Sequence, residues 1–191
     1  MRRQLKVLFL GDSGVGKSTL LSRYVNNKSS SCAPTFGVNF LQKDVSFQKQ
    51  KFRLHFFDVS GAQMQIPAFN DISVFVFVYD LSSNQTLLDL NDWFKQFGTG
   101  PQNQCVLVGN KFDLNQNEVS GAEQTFGLCK HFKVCAKTGL GVDELFKHII
   151  QLGMNTFGAE EQQQQYVDND WETVGEESAF IMKEKKGCCE K

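Results

Sequence analysis

Five residues near the start of the chain are spaced for holding phosphate. Gly11, Gly14, Gly16, Lys17 and Ser18 lie in GDSGVGKS, which fits G-x-x-x-x-G-K-[ST]. The glycines let the backbone bend so that successive N–H groups point at phosphate oxygens. A helix that begins at such a loop adds the positive end of its dipole. Lys17 is placed to reach the outer phosphates, and Ser18 offers a hydroxyl to Mg²⁺. A glycine-rich turn that binds nothing is the plain alternative. The Lys-Ser ending and the correct flanks weigh against it. The loop points to a nucleoside triphosphate without saying which.

A second group, Asn110-Lys111-Phe112-Asp113, chooses the base. A carboxylate at Asp113 can accept hydrogen bonds from N1–H and the 2-amino group of guanine. Adenine presents neither in that arrangement. Asn110 can reach the other edge of the base, and the Lys111 stem can lie across a ring face. Alone the pattern is weak. Behind a phosphate loop at this distance it is specific.

The elements around these residues must bring them together. Val7 to Leu10 is an apolar run that reads as a buried parallel strand, followed by a helix carrying Leu20, Leu21 and Tyr24. Asn26 to Pro34 is a polar loop ending at Thr35. Val38–Phe47 and Phe52–Phe57 read as two strands of an antiparallel hairpin turning around Gln48-Lys49-Gln50. The second runs into Asp58-Val59-Ser60-Gly61. Further strands are expected at 74–79, 106–108 and 132–134. Helices are expected at 84–97, 120–130 and 141–152. Alternation of this kind implies a mostly parallel sheet with helices on both faces. Ligands bind such sheets at the carboxyl ends of the strands. GDSGVGKS, Asp58, Asn110 and Cys135-Ala136-Lys137 each follow a strand, so all gather at one edge.

The composition is that of an ordinary globular domain, with 41% hydrophobic and 21% charged residues in 191. The 18 Phe are unusual, and many stand where aliphatic residues are expected in strands. They reflect either core packing or codon bias. Residues 1–155 carry 16 Lys/Arg against 12 Asp/Glu, a net of +4, and residues 156–191 carry 4 against 9, a net of −5. Neither suggests a nucleic-acid surface. No window resembles a signal peptide or a membrane span. Cys32, Cys105, Cys129 and Cys135 have no zinc spacing, and reduced thiols are the default for a cytosolic protein. From about 156 the chain is polar and Gln-rich, and reads as a flexible tail or, alternatively, a terminal helical extension.

Taken together, the motifs resemble the Ras-superfamily small GTPases, nearest to the Rab branch. The likeness runs from about residue 4 to 153 and resumes at the last residues. It rests on GDSGVGKS, Thr35 within PTFGVNF, DVSG at 58–61, VYDLS at 79–83, NKFD at 110–113 and CAK at 135–137. It implies the P-loop small G-protein fold, a mostly parallel six-stranded sheet with one antiparallel strand. The GTP-binding domain would cover 1–155 and a hypervariable tail 156–191. GTP or GDP would lie on Ser13, Gly14, Val15, Gly16, Lys17, Ser18 and Thr19, with Lys17 on the β- and γ-phosphates. Ser18 and Thr35 would ligate Mg²⁺, and Asp58 would hold it through water. The Gly61 N–H would contact the γ-phosphate. Asn110, Lys111 and Asp113 would hold guanine with Cys135, Ala136 and Lys137, the Ala136 N–H supporting O6. Thr35 and Gly61 would then release with hydrolysis, making a two-state switch. Read alone, Asp58 is a strand-end capping acid and Thr35 a turn residue.

The chain departs from the family pattern in three places. The glutamine that orients attacking water is replaced by Ala62, with Gln63 one position on. Intrinsic hydrolysis in this class is already slow, on the order of 10⁻⁴ s⁻¹. It is expected to be slower here unless Gln63 takes over or a partner supplies the missing group. The stretch between Gly61 and Val74 is about four residues short, and Met64, Ile66 and Phe69 replace the expected tyrosine pair. No aromatic stands between Tyr24 and Phe36 to cover the guanine ring, which would speed nucleotide release. Cys135 and Phe57 are milder changes, from serine and tryptophan.

The ending Gly187-Cys188-Cys189-Glu190-Lys191 resembles a double geranylgeranylation signal. As a C-a-a-X box it is poor. Two lipids anchor stably where one is marginal, and Lys183, Lys185 and Lys186 could favour anionic lipid. Ala179-Phe180-Ile181-Met182 is either a docking patch for the prenylation escort or an incidental apolar cluster. The resemblance implies a vesicle-trafficking switch on the cytoplasmic face of intracellular membranes, with a cytosolic pool. Its partners would be effectors, exchange factors, GTPase-activating proteins, and escort and GDP-dissociation-inhibitor proteins. A GTP-locked scaffold of the same fold is the alternative. A nucleoside or metabolite kinase is disfavoured by NKFD and the terminal cysteines.

Overall fold

A computed structural model describes residues 3–28, 35–61, 71–97, 104–114 and 129–169, with side chains of the last helix described to Phe157. The chain divides into two units, 1–157 and 158–191. The first holds the entire sheet. In the second, residues 158–169 are helical.

Six strands form one sheet: β1 (Arg3–Leu10), β2 (Val38–Phe47), β3 (Gln50–Val59), β4 (Val74–Asp80), β5 (Cys105–Asn110) and β6 (Lys130–Lys133). Their order is β2-β3-β1-β4-β5-β6. Only β2 runs antiparallel, to β3; the other pairings are parallel. The fold expected from the motifs is therefore the fold found. β1 is central, and Leu5, Val7, Leu8, Phe9 and Leu10 are fully buried, as a strand covered on both faces requires. β2 alternates along an edge. Gln48 and Lys49 take φ of 48° and 64° and close the hairpin in two residues, a left-handed turn made without glycine.

Three helices are described: α1 (Lys17–Asn26), α2 (Asn84–Phe97) and α3 (Val142–Asn169). Side chains on one face of the sheet, including Val7, Phe9 and Phe56, pack with Leu20 of α1 and Phe146 of α3. Those on the other, including Leu8, Leu10 and Phe77, pack with Leu87, Leu90 and Trp93 of α2. The abundant phenylalanine is core packing here. Phe9, Phe56 and Phe146 contact one another, and Tyr24 stacks on Phe146 at 3.6 Å between centroids. The helix expected at 120–130 lies outside the described residues except at its end. α3 runs well past residue 152, to Asn169. Ala159, the glutamates and the glutamines there are good helix formers, and their polarity hid this from an apolar period.

The default of reduced thiols does not hold for one pair. Cys105 and Cys129 are joined by a disulfide. Cys105 opens β5 and Cys129 directly precedes β6, and the register Val106↔Lys130 sets them side by side. Sequence spacing carries no trace of that adjacency. Cys135 is free and buried.

Candidate functional site

β1 has β3 on one side and β4 on the other, so connections leave its carboxyl end in opposite directions. A crevice at such a point is where ligands bind. The phosphate loop fills it. Gly16 takes φ of 95° and caps α1 with no side-chain hydrogen bond, leaving the first-turn N–H groups open. A Cβ on Gly16 would come within 2.3 Å of Asn110 Nδ2, so only glycine fits. Lys17 lies over the loop and donates from Nζ to the carbonyls of Gly11 and Asp12, each at 2.7 Å. Burial pulls its pKa down to about 8, against the opposing pull of Asp58 and Asp12. It is a cation held ready with little water around it.

The hairpin register brings the metal-type ligands together. Val38 pairs with Val59, and Ser60 N–H donates to Gly37 O at 2.8 Å. Thr35 is thereby drawn to the end of β3. Ser18 Oγ lies 2.7 Å from Thr35 Oγ1 and donates to Asp58 Oδ2 at 2.5 Å. Thr35 Oγ1 donates to the same oxygen at 3.4 Å. Asp58 is fully buried. Burial raises its pKa, offset in part by the Ser18 hydrogen bond and Lys17. Its other oxygen, Oδ1, is buried without a partner. Two hydroxyls, a carboxylate and an orphaned oxygen form an all-oxygen donor set, which fits a hard cation such as Mg²⁺. Gly61 closes this end. A Cβ there would stand 2.0 Å from Ser13 N and 2.1 Å from the Asp12 carbonyl carbon, so the segment after β3 can rest on the loop only through glycine. Ala62, Gln63, Met64, Ile66 and Phe69 lie outside the described residues, as do Cys188 and Cys189.

Beside the loop is a cavity of about 340 Å³ lined by Gly14, Gly16, Thr19, Asn110, Lys111, Asp113, Leu114, Cys135, Ala136 and Lys137. The two sequence groups that were matched to base and phosphate thus share one wall. Cys135 Sγ–H donates to Asp113 Oδ1 at 3.1 Å, which orients the carboxylate as a serine hydroxyl would. Lys111 Nζ donates to Asp80 Oδ2 at 2.7 Å, fixing its stem against the cavity. Burial opposes ionisation of Asp80, but Lys111 and Ser82 hold its pKa below the ordinary value. Among the described residues, none lining the cavity is aromatic. Tyr24 is packed on Phe146, and Phe36 is 92% exposed.

Asn110 has partners within the protein. It is 2% exposed and also lines the cavity. Nδ2 donates to Val15 O at 2.8 Å, and Oδ1 accepts from Ala136 N–H at 3.0 Å. It joins the phosphate loop to the Cys135-Ala136-Lys137 loop, and the N–H expected to support O6 is the one it engages. Three further residues had escaped the sequence reading. Asp80, inside VYDLS, anchors Lys111. Trp93 lies near Asp12 and eases its ionisation, against burial and the neighbouring Asp89, which raise its pKa. Arg23 binds the base-side loop across more than a hundred residues of sequence, where no local motif could signal it.

Comparison with known proteins agrees with this geometry. The Ras family profile matches residues 6–155. A Rab7 from Cenchrus ciliaris is 31% identical, with 98% of each chain covered. A Rab7 from Pisum sativum is 32% identical over 84% of this chain and 87% of its own. RABG3f of Arabidopsis thaliana is 33% identical over the same shares.

Proposed function

This chain belongs to the Ras family of small GTPases, on its Rab side, and we propose that it is a membrane-bound GTP/GDP switch whose own hydrolysis is unusually slow. As a family member it binds GTP and GDP with Mg²⁺ and hydrolyses GTP to GDP. Its partners belong to the usual classes: effectors, exchange factors, GTPase-activating proteins and dissociation inhibitors. The observation that carries the switch reading is the meeting of Ser18, Thr35 and Asp58 beside Lys17. Thr35 comes from a loop and Ser18 from a helix, so the contact can be made or lost with the state of the ligand.

Ser18 and Thr35 would hold the metal, with Asp58 behind them. A Mg²⁺ ion held there would supply neutralisation of the charge that develops on the phosphates. Lys17 carries its charge to the outer phosphates from a buried position. Gly61 rests against the loop at Ser13, and its N–H would meet the γ-phosphate. Asp113, oriented by Cys135, selects guanine. Attacking water is the step left short. Ala62 cannot accept or donate a hydrogen bond, and Gln63 stands one residue away. Slow turnover would keep the chain GTP-bound until a partner completes the site. The unlined face of the base cavity supports faster nucleotide release than an aromatic cover would allow. Cys188 and Cys189 would carry the lipids that hold the chain on the cytoplasmic face of an intracellular membrane.

Single-turnover hydrolysis tests this reading, alongside identification of the nucleotide that copurifies. The native chain should turn over below the ~10⁻⁴ s⁻¹ of its class, Ala62→Gln should raise the rate, and Gln63→Ala should leave it unchanged. Ordinary native turnover that disappears in Gln63→Ala would show that Gln63 positions the water.

A further inference from the structure

We propose that Arg23 is a positioning residue for the guanine site, using α1 as the fixed anchor from which it holds the loop that carries the base. The proposal rests on the guanine reading of the cavity above. Arg23 sits six residues after Lys17 on α1, about 9 Å further along a helix axis. Its Nε–H donates to Ala136 O at 3.0 Å, and its NH2 group donates to Lys137 O. These are consecutive carbonyls on the outside of the loop whose inner side lines the cavity.

The Ala136 peptide is therefore held at both ends. Asn110 takes its N–H from within, and Arg23 gives to its carbonyl from without. Asn110 in turn binds Val15 O in the phosphate loop. A closed circuit results: phosphate loop, α1, Arg23, base loop, Asn110 and back. A planar fork serves two adjacent carbonyls with its N–H directions fixed in advance, whereas a lysine ammonium is a rotatable point charge on a more flexible stem. The Arg23 stem passes the turn at Gly139, where an added Cβ would lie 3.8 Å from Cδ. Around it is a second cavity of about 500 Å³, shared with Tyr24, Asn27, Lys43, Thr138 and Asp143. Replacing the guanidinium there removes hydrogen bonds without opening a void in the core.

Fluorescent GDP release from the full chain tests the proposal. With Mg²⁺ present, Arg23→Met should release GDP about tenfold faster, as expected for loss of charge-assisted hydrogen bonds. Arg23→Lys should fall between it and native. With Mg²⁺ chelated, the Arg23→Met factor should be the same, and the Mg²⁺ concentration that half-protects against release should not move. Amide exchange should quicken at residues 135–138 and not at Lys17 or Ser18. A native off-rate in Arg23→Met overturns the proposal. So does a parallel shift in Mg²⁺ requirement, because α1 as a whole would then have loosened. A native chain that retains no GDP overturns the guanine reading itself, which distinguishes the two failures.

Discussion

The two ends of the nucleotide site are finished to different degrees. At the base end the protein satisfies itself. Asn110, Cys135, Lys111 and Arg23 each have protein partners, and the cavity they frame stands ready. At the phosphate end the groups converge without closing. Asp58 is buried with Oδ1 unpaired, two hydroxyls crowd its other oxygen, and Lys17 pays for its burial with a lowered pKa. A buried polar group without a partner costs more than the paired one gains. The base end is thus stable as built, and the phosphate end is completed by what it binds. In the proposed function, recognition of guanine and sensing of the γ-phosphate would divide along the same line, since a sensor must change with its ligand and a reader need not.

The comparison is sharpened first by Asp113→Asn. The amide cannot accept from both guanine donors, and GDP affinity should fall about 10³-fold from the loss of charged hydrogen bonds. The melting temperature of the ligand-free chain should hardly change. Titration calorimetry and a thermal melt report both.

The next test breaks the comparison if it fails. Asp58→Asn should raise the Mg²⁺ concentration needed to slow GDP release by about 10–100-fold. It should also leave the ligand-free chain at least as stable as native, because a neutral amide avoids burying a charge. A ligand-free variant that melts well below native would mean the phosphate end is as self-sufficient as the base end.

Asn110→Ala is the smallest effect and the mirror image. It strands Val15 O and Ala136 N–H inside the fold, and the ligand-free chain should lose about 1–3 kcal/mol in denaturant unfolding. The loss should appear without nucleotide or Mg²⁺. If it appears only with nucleotide bound, the base end is not preformed.

What could be read from the sequence follows the same division between local and distant. The strands, the hairpin and the phosphate loop depend on neighbours in sequence, and apolar runs, short turns and a fixed spacing reveal them. Lys17, Ser18 and Asp113 stood out because their chemistry is tied to a motif. The backbone partners of Asn110 did not, because a carboxamide suits base and backbone alike and only the fold brings Val15 and Ala136 to it. Arg23 lies on a helix whose apolar period says nothing about its polar face. The Cys105–Cys129 bond depends on β5 lying beside β6, which is sheet order and not spacing. The extension of α3 to Asn169 was legible only as the alternative to a flexible tail, because glutamine and glutamate favour helix without marking a buried face.

The placement of Trp93 near Asp12 has an optical consequence. The chain has two tryptophans, and Trp171 falls outside the described residues. Trp93 is 2% exposed, and its partner Asp12 occupies the loop that must receive the phosphates. An indole held near a carboxyl group is spectrally sensitive to that group's charge and distance. Emission from Trp93 therefore gives the protein an intrinsic fluorophore near the phosphate loop, expected to follow loading and release in unlabelled material.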